Sequence, residues 1–255
     1  MNSLINKFLP SIVAGIIVIA FAIIIRVPQT IFVGGGLLVL LVAVAVWQLT
    51  NRQLLKLRFW NFVVTPVLLT AAGLTCYAFL EDRRLQMGLT ILIGMFVWLF
   101  LEIVYFYIHD RPHYQPHALE NISNHLNVLA VFFSVSGSLS SSIFLGLSPW
   151  IFVPIIALVS LLACYQSCWA SELPFRQVYR YVLVVSLLMV EAFIVATLAP
   201  TSVYVGGVMV TIVYYCCIGI ARNWLHGITE FTVARRYIGI GLTVLTLVLL
   251  SAKWL

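Results

Sequence analysis

Nine long apolar runs, almost free of charge, follow one another along this chain of 255 residues. About 20 apolar residues in helical form cross the ~30 Å hydrocarbon layer of a bilayer. A train of such runs therefore predicts an all-α fold, a polytopic bundle of transmembrane helices. The spans are expected near residues 8–25, 29–49, 60–80, 87–108, 121–147, 150–170, 180–199, 202–221 and 236–254. Composition agrees: 63% of the residues are hydrophobic and 9% charged, against roughly 25% charged in a soluble domain. No polar stretch is long enough for a second, soluble domain, so residues 1–255 read as one membrane domain. The first run ends at Arg26 without a small-residue cleavage site and another run follows at once, so it reads as a span and not as a cleaved leader.

The formal net charge of +6 would point to nucleic acid in a soluble protein. Here the basic residues lie between spans, where they fix orientation against anionic lipid, and no nucleic-acid partner is expected. Short turns at Pro28-Gln29, Ser148-Pro149 and Pro200-Thr201 alternate with longer loops at 51–58, 110–120, 171–180 and 222–236, so the spans come largely as tight hairpins. The face with the amino terminus and the longer loops carries ten basic residues: Lys7, Arg52, Lys56, Arg58, Arg111, Arg176, Arg180, Arg222, Arg235 and Arg236. The other face carries four: Arg26, Arg83, Arg84 and Lys253. The positive-inside rule then places the amino terminus in the cytoplasm and, with nine spans, the carboxyl terminus outside.

A faint internal repeat accompanies this layout. Pro28, Phe32, Val33, Gly34 and Gly35 have the spacing of Pro200, Tyr204, Val205, Gly206 and Gly207. Repeats of this kind occur in transporters. Glycines that merely let lipid-embedded helices approach closely would leave the same trace.

Several polar residues are out of place in lipid. Glu191 lies eleven residues after Arg180 and nine before Pro200, deep in a span. A charge there costs at least about 2.5–3.5 kcal/mol. The residue is expected to face the bundle interior and to be protonated, paired or wet, as a relay or as a packing group. Glu102 stands about two turns from the cytoplasmic end of the fourth span, with Tyr105 one turn on and placed to donate to it. In the fifth span Glu120, Asn124, Asn127, Ser134, Ser138 and Ser141 recur at steps of three and four, with Val131 the one gap. That spacing gathers them on one helical stripe. The stripe reads either as the lining of a hydrated path or as a small-residue packing face.

His109, His113 and His117 stand four apart, the ligand spacing of a helix face. Pro112 and Pro116 argue against a continuous helix, so a surface loop is the expectation and no metal is assigned. The five cysteines, Cys76, Cys164, Cys168, Cys216 and Cys217, all fall in apolar runs and read as packing residues. No histidine lies deep in a span, which argues against an intramembrane Ser-His protease. A zinc-protease helix motif and a phosphate-cradling loop are both missing. No catalytic residue set and no cofactor is expected.

The stretches Leu101 to Tyr105, Tyr114 to Asn124, Glu191 to Ser202 and Arg235 to Gly241, with the terminal Ser251-Ala252-Lys253-Trp254, resemble an uncharacterised family of multi-pass membrane proteins from candidate-phyla (Patescibacteria-type) bacteria. The resemblance implies a small bacterial inner-membrane protein and brings no activity with it. Three readings of function follow. One is a carrier or channel for a small solute or ion, using Glu191, Glu102 and the fifth-span stripe. Another is a non-catalytic scaffold or assembly subunit, self-associating or bound to a membrane partner. The third is a membrane enzyme acting on a lipid or lipid-linked substrate.

Overall fold

The computed structural model describes residues 2–50 and 57–251. Residues 51–56 and 252–255, with Arg52, Lys56 and Lys253 of the charge count and most of the terminal familiar stretch, lie outside the described residues. Within them the chain forms nine helices long and apolar enough to cross a membrane. These are α1 (Asn2–Arg26), α2 (Ile31–Leu49), α3 (Leu57–Tyr77), α4 (Arg83–His109), α5 (Ala118–Phe144), α6 (Val153–Ala170), α7 (Phe175–Leu198), α8 (Val203–Leu225) and α9 (Phe231–Ser251). All nine expected spans coincide with helices, and several helices start before the apolar run does. The reason is physical: hydropathy marks the stretch in hydrocarbon, whereas the helix continues into the interface. Helix α4 starts at Arg83 because the Asp82 side chain accepts a hydrogen bond from the Arg84 N–H at 2.7 Å, capping the first turn. Helix α5 stops at Phe144, short of 147, ahead of the left-handed Gly146 (φ 63°).

The chain divides into two compact units, Met1–Leu126 and Asn127–Leu255. In the first, α1 packs against α2 and α4, and α3 against α2 and α4. Val13, Ile17, Phe21 and Ile24 recur at steps of four and three and are almost completely buried, as are Ile93, Val97, Phe100, Leu101 and Val104 of α4. The two helices close tightly at Gly94, where a Cβ would come within 2.8 Å of Val18 Cγ2. The Tyr77 hydroxyl donates to the Phe21 carbonyl at 3.3 Å and tethers the end of α3 to α1.

In the second unit α6, α7, α8 and α9 pack in sequence, each on the next. Helix α5 closes on α8 through Gly206 and Gly207. A Cβ on Gly206 would lie 2.9 Å from Leu139 Cδ1, and one on Gly207 would overlap Ser136 Oγ. Helix α9 is the most peripheral, with Gly241 its one buried residue. It meets α8 where Gly219 accommodates the Tyr237 ring.

Candidate functional site

Helix α7 has two unlike faces. Val178, Val182, Val185, Met189, Phe193 and Ala196 recur at steps of four and three and are all buried. They form the face turned to α6 and α8. Val184, Leu187, Val195 and Leu198 recur with the same period and are 57%, 60%, 60% and 80% exposed. Glu191 belongs to this second stripe and is exposed. It stands two residues past the fully buried Met189, about 200° around the helix at ~100° per residue. The expectation of an interior Glu191 is therefore corrected: its carboxylate is on the outer, apolar face of α7. The helix register decides this, because the interior positions are taken by Met189 and Phe193. Among the described residues Glu191 makes no hydrogen bond or ion pair.

Of the polar stripe of α5, Asn127, Ser134 and Ser138 are inside, while Glu120, Asn124 and Ser141 are half-buried. Asn127 is 0% exposed, Ser134 7% and Ser138 6%. The Asn127 Nδ2 donates toward Gln166 Oε1 at 2.7 Å, Ser167 Oγ at 2.9 Å and the Ala163 carbonyl at 3.2 Å. Two N–H groups thus serve three acceptors on α6, one of them shared. Ser167 Oγ in turn lies 3.4 Å from the Tyr214 hydroxyl of α8. Gln166, Ser167 and Tyr214 are as buried as Asn127. The result is a buried, hydrogen-bonded tie between α5, α6 and α8. A second tie joins α6 to α7, where Ser160 and Ser186 hydroxyls lie 3.1 Å apart and Ser186 also donates to the Ala157 carbonyl. The stripe expected on α5 does not separate an inner from an outer face. Phe133, Val135 and Ser136 are buried as well, so the helix is enclosed on nearly all sides at this level. Asn124 is half-buried, and its Oδ1 has no hydrogen-bond partner among the described residues.

Gln166, Ser167 and Tyr214 were not anticipated from the sequence. The available signal was the Gln166-Ser167 pair, the most polar dipeptide inside the sixth apolar run.

Glu102 is half-buried on α4 and lines a groove of about 210 Å³ with Leu99, Ile103, Phe106, His113, Tyr114, Gln115 and Ala118. Here the loop after α4 folds back along one helical face. No hydrogen bond joins Tyr105 to Glu102. The Tyr105 ring stacks on His109 instead, one turn further, with centroids 5.3 Å apart and planes at 12°. The three loop histidines do not converge. The Nε2 of His109 lies 3.3 Å from Asn6 Nδ2. His113 Nδ1 is 2.9 Å from both Asp110 carboxylate oxygens, and His117 Nδ1 is 3.0 Å from Glu120 Oε2. A 3-10 turn at Arg111–His113 and a left-handed His117 (φ 61°) break the helical spacing. Among the described residues no group of three or more His, Cys, Asp or Glu side chains is placed to hold a metal ion.

Fold and polar placement together define a class: an all-α, multi-pass membrane protein. No protein-family model matches the chain, and neither a curated protein nor a solved structure is similar to it.

Proposed function

We propose that this is a non-catalytic subunit of a bacterial inner membrane, whose outer α7 face receives a helix of another membrane protein. The position of Glu191 carries the reading. On the exposed stripe of α7 its carboxylate has apolar neighbours one turn away on either side, Leu187 and Val195. Left against lipid, a charge at such depth costs about 2.5–3.5 kcal/mol. A polar group on a second helix removes that cost, and intramembrane ionisable residues mark sites of contact or passage. A carrier reading has less support: it needs a wet path to the carboxylate, while the polar groups of α5 and α6 are tied to one another at almost zero exposure. The enzyme reading draws on one observation, the groove that brings Glu102 and the Asp110-bound His113 to a single cavity beside a helix end. The family resemblance favours a bacterial inner membrane, and the basic loops with an odd span count favour a cytoplasmic amino terminus and an external carboxyl terminus.

The test is photo-crosslinking in the native membrane. A benzophenone amino acid at Leu187 or Val195 is expected to give one discrete protein adduct, and at exposed Ile91 of α4 to give lipid adducts. Lipid adducts alone at all three positions would refute the reading.

A further inference from the structure

We infer that the occupant of the outer α7 face is a membrane-spanning helix of a different protein carrying a Lys or Arg at the depth of Glu191. This rests on the subunit reading above and adds the chemistry of the partner. The stripe Val184, Leu187, Glu191, Val195 and Leu198 runs at steps of three, four, four and three, one face of a helix along which a second helix can pack. Its flanks, Leu183 and Leu188, are also exposed. At the centre of this apolar seam stands one acceptor with no donor among the described residues, and charge complementarity calls for a cation.

The described helices of a second copy do not supply it. Glu191 lies seven residues inside the end of α7, about 10 Å along the axis at ~1.5 Å per residue. The basic residues on the described helices stand near helix ends. Lys7 falls in the first turns of α1 and Arg26 ends it, Arg58 is the second residue of α3, Arg83 and Arg84 open α4, Arg176 and Arg180 fall in the first turns of α7, Arg222 in the last turn of α8, and Arg235 and Arg236 near the start of α9. Long basic side chains at such positions turn their heads to the interface and not to the hydrocarbon. Two copies meeting through this seam would set carboxyl against carboxyl, a contact that two ionised groups cannot make. A foreign helix with one buried Lys or Arg satisfies Glu191 and is satisfied by it. That reciprocity also selects the partner, since a purely apolar helix leaves the carboxylate as costly as before.

The full chain, donor-labelled and reconstituted in phosphatidylethanolamine–phosphatidylglycerol vesicles, is titrated with acceptor-labelled Leu-rich spanning peptides. One peptide has a single Lys at the depth of Glu191 and the other has Leu there. Energy transfer is expected to report association about tenfold tighter for the Lys peptide. Glu191→Gln is expected to erase the difference, and Glu191→Lys to shift the preference to a peptide with Glu at that depth. Equal binding of the two peptides, or a Lys preference that survives Glu191→Gln, would overturn the inference. So would self-association of the chain that Glu191→Gln abolishes. A discrete adduct from Leu187 in native membranes without Lys preference removes the partner chemistry alone. Lipid adducts alone remove the subunit reading with it.

Discussion

Asn127 and Glu191 are both polar residues in spans, and they differ in what surrounds them. The Asn127 amide has Gln166, Ser167 and Ala163 as acceptors within α6. Glu191 has no partner among the described residues. Asn127→Leu is accordingly expected to lower stability by about 1–2 kcal/mol, because it strands the acceptors of Gln166 and Ser167. Reversible unfolding by SDS titration in mixed micelles measures this. Glu191→Leu is expected to leave the stability of the isolated chain unchanged or raised, and to ease insertion of α7 by about 2–3 kcal/mol in a translocation assay. A loss of stability in Glu191→Leu would mean that the carboxyl has a partner inside the fold. The depth of both residues was legible in the sequence, as distance from Arg180 and Pro200 for one and a place in the fifth run for the other. Their facing was not. In lipid the inner and outer sides of a helix are equally apolar, so the valines and leucines around Glu191 carry no sign of which side is inside. Tyr105 shows the same limit: Glu102 and His109 are both one turn away, and ring stacking on His109 is what forms.

At the scale of elements, glycines set how closely helices approach. Gly207 stands against Ser136, and a Cβ there would overlap its Oγ and crowd its Cβ at 3.3 Å, so Ser136 or the two helices must shift. Gly207→Ala is expected to cost about 1–3 kcal/mol, with partial relief from Ser136→Gly in a double-mutant cycle. Gly36 has nothing within 4 Å of where its Cβ would be. Gly36→Ala is expected to stabilise α2 by about 0.5–1 kcal/mol, since Ala is the better helix former. The two Pro-turn and glycine stretches detected in the sequence do both open helices, α2 and α8. Their neighbours differ. Gly34 and Gly35 meet Ile24 of α1 and Leu74 of α3, whereas Gly206 and Gly207 meet α5 and, at Ala196, α7. Spacing along the chain was readable; which helix fills the space beside a glycine is a property of tertiary packing and leaves no local trace.

At the scale of the molecule, the described residues form nine apolar helices joined by connections of unequal size. That much followed from hydropathy, because hydrocarbon admits only segments whose backbone groups pair within themselves. The number of spans is odd, so the termini are expected on opposite sides. A reporter active only in the cytoplasm should work at the amino terminus and be silent when fused after Leu255. Activity at both ends would contradict the span count.

The central claim is that α7 turns Glu191 outward into an apolar environment. Spin labels scanned one at a time from 182 to 198, in the reconstituted full chain with its native cysteines replaced, test it through relaxation by oxygen and by a water-soluble nickel chelate. Oxygen contact is predicted to peak at 184, 187, 191, 195 and 198 and to fall at 182, 185, 189 and 193, with the nickel signal low throughout the second half of the helix. Oxygen peaks at 185, 189 and 193, or strong nickel contact at 191, would contradict the account and return Glu191 to a wet interior path.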